Sequence, residues 1–377
     1  MTPVSHAGRS SVEIAEAPNI LGTGTDQRRG DSLTPLVSIL IPAYNAEQWI
    51  CETLQSVVRQ TWRRKEVIVV DDGSTDRTLS IARQFASPSV KVISQENRGG
   101  GIARNTALSL AQGDYVQYLD HDDLLATDKV ARQVEAMSGG DDERTLLSGS
   151  FSKFFYCVQR AKPVRNVMCQ DLHPVEFFIH KLNDEAAWLQ IGAYLFSRRL
   201  IEMAGPWYEK QSTDDDGNYV DRVVMSCERI HFVSEARSYW RIGNTRSAGH
   251  RNTKQMHEAA FHTTVHSVQQ LLSLENSDRT RAAGLRFLRL RSERYFMGEP
   301  EMLARLETLA ESLGGTLVFR GGSDGATHAR DSRGLLWSAI VNRLLYPSNM
   351  LVKRNLDRYF WKNLYLVRSG ISGLKVE

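Results

Sequence analysis

A chain of 377 residues with 41% hydrophobic content can fill one large or two ordinary domains, which excludes a disordered or fibrous protein. Its four cysteines, Cys51, Cys157, Cys169 and Cys227, show no paired metal spacing and no signal-peptide pattern ahead of them, arguing against a disulfide framework and for a reducing cytosol. The net charge of +3 is uneven: residues 279–377 hold 17 Lys and Arg against 9 Asp and Glu, an excess suited to anionic lipid, while no zinc, homeodomain or RNA-recognition signature supports nucleic acid as a partner.

Residues 1–33 mix Gly, Ser, Thr and charges with few large apolar groups, and read as a disordered tail. Order is expected from Leu36. Leu36 to Ile41 reads as a buried strand stopped by Pro42, and Ala46 to Gln60 as a helix with Trp49, Ile50, Leu54, Val57 and Val58 on one stripe. Val67 to Val70 is a second buried strand, ended by Asp71-Asp72-Gly73-Ser74 and followed by a helix over Thr75 to Phe85. Val90 to Ser94 is a third strand, after which Asn97-Arg98-Gly99-Gly100-Gly101 opens a helix that runs through Ala111.

Tyr115 to Leu119 is β-branched, aromatic and apolar enough for a fourth buried strand, and it runs into Asp120-His121-Asp122-Asp123. Like charges crowded at a strand end repel, so a cation is expected to offset them, although Asp is also a common turn former. A helix near Asp128 to Met137 follows. Strands alternating with helices predict a parallel sheet covered on both faces, with Tyr44, Asp72 and the Asp120 cluster at the carboxyl ends of its strands, where such sheets bind ligands. A dinucleotide-binding dehydrogenase would share this architecture, but Pro42-Ala43-Tyr44-Asn45 stands where its Gly-rich turn would be.

Beyond Leu146 the pattern loosens. Leu146 to Tyr156 reads as a strand, Pro174 to His180 as a short helix, and Gly192 to Phe196 as a strand leading into a helix that ends before Gly205-Pro206. Asp214-Asp215-Asp216 precedes a helix over Asn218 to Met225; capping explains one acidic residue at a helix start, and three exceed that need. From His257 onward Leu-rich stripes predict helices, and Leu335 to Val367 interleaves aromatic residues with Arg and Lys. Two readings of this end stand: a helical appendage packed on the main domain or on a second subunit, or a segment lying on a membrane surface. No apolar run reaches the roughly 20 residues of a membrane-crossing helix.

Together, Val37 to Asn45, Val69 to Asp76, Asn97 to Asn105 and Leu119 to Asp123 resemble the family 2 glycosyltransferases of the GT-A fold, in order and at matching separations. Thr213 to Arg222 and Tyr239-Trp240-Arg241 resemble the acceptor-side half more loosely. The resemblance implies an α/β fold, a GT-A type mostly parallel sheet flanked by helices, over residues 34–250. Its nucleotide-binding half would be 34–145 and its acceptor half 146–250, and 251–377 would form a basic, mainly helical C-terminal extension. It implies a cytoplasmic enzyme, in solution or peripheral on the inner membrane face, that moves a sugar with inversion from a nucleotide-sugar donor, expected to be a UDP-sugar. The acceptor would be a hydroxyl of a saccharide, lipid-linked or protein acceptor in cell-surface polysaccharide, glycolipid or glycoprotein assembly.

By the same resemblance, Pro42, Tyr44 and Asn45 line the nucleoside pocket, Asp72 binds the base, Asp120 reaches the ribose or metal region, and Asp122 with Asp120 holds Mn²⁺ or Mg²⁺. Arg98 and Arg104 meet the diphosphate, or Arg104 braces the acidic rim. The family's base lies six residues before an Arg, which counts back from Arg222 to Asp216, with Asp215 second. A different class of function, a non-catalytic nucleotide-sugar-binding scaffold acting through its basic tail, is the alternative. Peripheral membrane contact or self-association would run through 251–377.

Overall fold

A computed structural model of the chain describes residues 34–137, 143–209, 215–242 and 254–317. In chain order the first half forms β1 (Val37–Ala43), α1 (Ile50–Val58), β2 (Lys65–Asp72), α2 (Thr78–Arg83), β3 (Val90–Gln95), α3 (Gly100–Ser109), β4 (Tyr115–Tyr118), β5 (Leu124–Leu125) and α4 (Lys129–Ala136). The second half continues with β6 (Thr145–Phe154), β7 (Lys162–Val164), α5 (Pro174–Asn183), β8 (Phe196–Ser197), α6 (Arg198–Ala204), α7 (Asp215–Ser226) and β9 (Arg229–Arg241). The helices α8 (Lys254–Leu274), α9 (Asp278–Arg291) and α10 (Pro300–Ser312) follow.

The first sheet has the order β3-β2-β1-β4-β8, with the first four strands parallel and β8 antiparallel at the edge. Every residue of β1 is buried, because side chains on both faces meet helices. Leu40, Ile68 and Val70 pack with Ala103 and Ala107 of α3. Ile39, Ile41, Val67 and Val69 pack with Ile50, Leu54 and Val57 of α1 and with Val130 and Val134 of α4. Each large apolar side chain buried this way contributes about 1.5–3 kcal/mol. Pro42 does not stop the strand as expected: it stays in register opposite Val70, and β4 pairs only as far as Leu40, so the missing N–H falls where one neighbour has already left.

The second sheet has the order β5-β9-β6-β7. Its long strand β9 is missing from the sequence reading, because His231, Glu235 and Arg237 break the apolar run. β6 and β9 pair in parallel up to Gly149 opposite Val233, then resume at Ser150 opposite Arg237, so Ser234, Glu235 and Ala236 bulge out. Gly149 permits the bulge, since a Cβ there would collide with the carbonyl oxygen of Ala236.

The described C-terminal helices share one buried cluster with this domain. Val268, Leu271, Leu288 and Leu306 join Phe178 of α5 and Tyr219 and Val223 of α7. A polar link runs through the contact: Lys181 Nζ donates to both oxygens of Asp221 at 2.6 Å, and Ser267 Oγ donates to Asp221 Oδ2 at 2.8 Å. It ties α5, α7 and α8 together. No helix among the described residues is long and apolar enough to cross a membrane. The expected tail 1–33 and the aromatic and basic stretch Leu335 to Val367 lie outside the described residues.

Candidate active site

Arg104 is the meeting point. It stands on α3 one residue after Ala103, in a buried position, and its guanidinium lies 4.5 Å from the centroid of the Trp207 ring. Trp207 in turn stacks on Tyr219 of α7 at 4.1 Å. Asn105 clamps the loop that brings Trp207 there, its Nδ2 donating to the Trp207 carbonyl and its Oδ1 accepting the Trp207 N–H, both at 2.9 Å. From this seat Arg104 Nη2 donates to Asp120 Oδ1 at 2.9 Å and Nη1 to Asp215 Oδ2 at 2.9 Å, and Nη2 lies 3.3 Å from Asp216 Oδ1. One guanidinium thus joins the end of β4 to the start of α7, reaching from Arg104 to Asp215 across 111 positions of the chain.

Burial alone would depress the Arg104 pKa, but the charges of Asp216, Asp215 and Asp120 outweigh it and raise the value, so the group stays cationic. A single cation cannot balance three carboxylates, so negative charge remains at the rim beside Asp122. The side chains of Asp120, Asp215 and Asp216 are 32%, 29% and 37% exposed, which makes Asp216 the most open of the three as well as the one held at the longest distance. Asp214, the first of the acidic triplet, lies outside the described residues.

A second buried arginine fixes the loop that follows β4. Arg241, at the end of β9, donates from its backbone N–H to Asp123 Oδ1 at 2.8 Å, from Nε to the Asp122 carbonyl at 2.8 Å and from Nη1 to the Phe155 carbonyl at 3.2 Å. Its Nη2 donates to Glu52 at 2.7 Å, and its guanidinium lies over Trp49 at 4.3 Å and Phe154 at 4.4 Å. Burial, then the charges of Asp122 and Asp120, raise the Asp123 pKa well above the usual carboxylate range. His121 ties the same loop to β1, with Nδ1 3.3 Å from the Pro42 carbonyl oxygen and its own carbonyl accepting Thr53 Oγ1 at 2.8 Å.

At the ends of β1 and β2 a separate network forms. Asp72 Oδ1 accepts Gln95 Nε2 at 2.7 Å and the Arg98 N–H at 3.0 Å, and Oδ2 accepts the Gly99 N–H at 2.8 Å. Asp72 therefore shapes the entry to α3, and Arg98 is exposed beside it. Gly73 takes a positive φ of 72° and leaves no room for a Cβ, which would lie 2.7 Å from the Asn97 nitrogen. Asn45, at φ 48°, accepts the Thr75 N–H through Oδ1 at 2.9 Å and binds Ser74 Oγ through its own N–H at 3.0 Å, bracing the β1 loop on the β2 loop. Tyr44 is 45% exposed on the same rim, and Pro42 is buried within β1.

Three contributors escaped the sequence reading. Arg241 lies in the loose acceptor-side match, which implies no role for it. Trp207 carries no motif at all. Asp71 shares the motif of Asp72 without an implied role, yet it is 1% exposed; among the described residues its Oδ2 accepts the Ser74 N–H at 3.3 Å and Ser94 Oγ at 3.4 Å, and its Oδ1 has no hydrogen-bond partner. Strand alternation is the signal that separates it from Asp72.

Among the described residues no group of three His, Cys, Asp or Glu side chains is placed to hold a metal ion by itself. Asp120 and Asp122 are nevertheless hard oxygen donors on a rim with surplus negative charge. That set fits a cation bound by one or two carboxylates and completed by phosphate oxygens and water.

Comparison with known proteins agrees with this architecture. The profile of Glycosyl transferase family 2 matches residues 38–199. TuaG of Bacillus subtilis (strain 168), named for teichuronic acid biosynthesis, is 40% identical over 149 residues, 39% of this chain and 53% of that protein. Chondroitin synthase of Escherichia coli is 48% identical over 98 residues, 26% of this chain and 14% of that protein. The E. coli UDP-Glc:alpha-D-GlcNAc-diphosphoundecaprenol beta-1,3-glucosyltransferase WfgD is 39% identical over 103 residues, 27% of this chain and 41% of that protein. The chain thus spans about half, or less, of these curated relatives. S. aureus TarS 1–349, solved in complex with UDP-GlcNAc, shares the fold at a TM-score of 0.54 and 19% identity, over 76% of this chain and 95% of that one. Residues 38–199, which include the strand ends at Asp72 and Asp120, thus carry the glycosyl transferase family 2 domain.

Proposed function

We propose that the chain transfers a sugar from a nucleoside-diphosphate donor, a UDP-sugar, to a hydroxyl of a saccharide or lipid-linked acceptor, with inversion at the anomeric carbon, in polysaccharide or glycolipid assembly. The observation that carries this reading is the grip of Arg104 on Asp120 at one element and on Asp215 and Asp216 at another. It couples the strand end suited to a diphosphate to the helix suited to an acceptor. UDP-GlcNAc bound to TarS and the undecaprenol-linked acceptor in the name of WfgD support the donor and acceptor classes by analogy.

In this mechanism Asp216 takes the proton of the acceptor hydroxyl as that oxygen bonds to the anomeric carbon from the side opposite the leaving group. The bond from the anomeric carbon to the diphosphate oxygen breaks, the diphosphate leaves with the electron pair, and the configuration inverts. Asp216 is favoured over Asp215 because it is the more exposed and is held at 3.3 Å rather than 2.9 Å. Asp122 with Asp120 would hold Mn²⁺ or Mg²⁺, whose chemistry is to neutralise charge developing on the diphosphate. The nucleobase has two candidate acceptors: Asp72, already bonded to Gln95, Arg98 and Gly99, and the unpartnered Oδ1 of Asp71. Tyr44 supplies an exposed ring at the same rim and Asn45 fixes its loop.

The test is UDP release from a panel of UDP-sugars, with the anomeric configuration of any transferred sugar read by NMR. Release or transfer that needs Mn²⁺ or Mg²⁺, stops with EDTA and inverts the anomer is the expected result. Retention of configuration would sink the role given to Asp216, and full activity in EDTA would sink that given to Asp122.

A further inference from the structure

The second sheet carries an aromatic shelf that the mechanism above does not use. Phe151 and Lys153 on β6 face Ser238 and Trp240 on β9 across the sheet, in the stretch after the bulge. Trp188 comes from the loop after α5 and completes the group, with its ring 5.0 Å from Trp240 in an edge-on arrangement and 5.4 Å from Phe151. Trp188 is 37% exposed although its loop is pinned, Asn166 Nδ2 donating to the carbonyls of Ala186 at 2.8 Å and Trp188 at 2.9 Å. A large ring held in place and left open to solvent suits a ligand with an apolar face, because little motion is lost on binding.

Two further features identify the ligand's chemistry. Lys153 Nζ lies 5.1 Å from the Trp240 centroid and 5.7 Å from that of Trp188, which puts a positive charge on the shelf. Gln190 is 6% exposed; its Nε2 donates to Ser238 Oγ at 2.6 Å, and its Oε1 has no hydrogen-bond partner among the described residues. A buried acceptor without a donor is unusual and calls for a hydroxyl or N–H from elsewhere. The chain links the shelf to the site already described, although Trp240 and Arg241 face opposite sides of β9. Trp240 precedes Arg241, which holds the 122–123 loop, and Gly192, two residues after Gln190, abuts Leu119 just before Asp120: a Cβ on it would meet Gln190 Oε1 at 3.2 Å and Leu119 at 3.3 Å.

We propose that Trp188, Trp240, Lys153 and Gln190 form the subsite for the acceptor sugar, and that this sugar is a pyranose bearing an anionic group, a carboxylate or a phosphate. The C–H face of the ring lies on tryptophan, a hydroxyl donates to Gln190 Oε1, and the anionic group meets the Lys153 ammonium. The assignment rests on the glycosyl-transfer reading and names the substrate class of that same site.

The test is saturation-transfer NMR on the full chain with UDP and Mn²⁺ present, using methyl β-glucuronide, glucose 6-phosphate and methyl β-glucoside as probes. At least one anionic probe is expected to bind about tenfold more tightly than the neutral glucoside, and the stronger of the two identifies carboxylate or phosphate. Lys153→Gln is expected to erase that preference, and Trp188→Ala to weaken all three probes about tenfold, with Trp188→Phe recovering part of the loss. Melting curves on each variant separate misfolding from lost contacts. Equal binding of the three probes, or binding by folded Trp188→Ala and Lys153→Gln equal to that of the parent, overturns the subsite while leaving glycosyl transfer intact. Failure of the parent chain to bind UDP overturns the glycosyl-transfer reading itself, and this assignment with it.

Discussion

Arg104 and Arg241 are both buried, both lie against aromatic rings, and both reach the loop after β4, yet they grip different chemistry. Arg104 binds three carboxylate side chains from two elements, so it sets the charge of the site. Arg241 binds two backbone carbonyls, and its own backbone N–H binds Asp123, while its one ion pair is to Glu52; it sets where the loop lies. The contrast teaches that the acidic rim is held by two separable means, charge balance on one side and backbone hydrogen bonding on the other. A guanidinium serves both because its planar fork carries several fixed donors.

The largest expected effect tests what Arg104 collects. Asp216→Asn is expected to lower transfer by about 10²–10⁴-fold with UDP affinity retained, measured by product formation and calorimetry. A loss of the same size in Asp215→Asn but not Asp216→Asn would reverse the two roles. Next comes the framework arginine. Arg241→Ala leaves Glu52 and two carbonyls without their donor and is expected to lower unfolding stability by about 3–5 kcal/mol in a denaturant titration, toward the lower figure because Glu52 is partly exposed. If Arg104→Lys is made instead, the charge survives and the fork is lost. Transfer is then expected to fall by about tenfold or more, with a smaller change in melting temperature than Arg241→Ala produces. Equal losses of stability in the two arginine variants would erase the distinction drawn above.

The smallest expected effect concerns a brace far from either arginine. Glu66 is desolvated by burial, which favours its neutral form, but the Gln112 N–H, Ser38 Oγ and Lys91 overcome this and hold its pKa below the usual 4.5. A carboxylate depressed in the folded state adds stability above its unfolded pKa and loses it as pH falls through the folded value. Glu66→Gln is therefore expected to lower stability by about 1–2 kcal/mol at pH 7, with the gap from the parent closing below pH 4.5. A gap that is constant with pH would show that shape rather than charge matters at this position.

How much of this was readable in the chain depends on the distance between cause and effect. Asp72 and Asp120 follow continuous apolar runs, and a run buried on both faces marks a parallel strand whose end is a ligand rim, so their placement needed only local pattern. Asp215 and Asp216 were visible as an acidic cluster at a helix start. Their tie to Arg104 was not, because nothing within a window of sequence joins positions 111 residues apart. Strand β9 was hidden by its own charges and by the break in period at its bulge. Pro42 misled for another reason: a rule about missing N–H groups holds only where both neighbouring strands are still paired.

Between Gly149 and Ser150 the partner strand spends three residues, Ser234 to Ala236, where β6 spends none. Three is odd, and a strand slipped by an odd step trades its two faces. Straightening the excursion would send Arg241 away from Phe154 and the 122–123 loop and turn Trp240 toward them, with no side chain altered. The length of this short detour therefore acts as a parity setting for the domain, so that adding or removing a single residue there can undo both the guanidinium anchor and the tryptophan shelf at once.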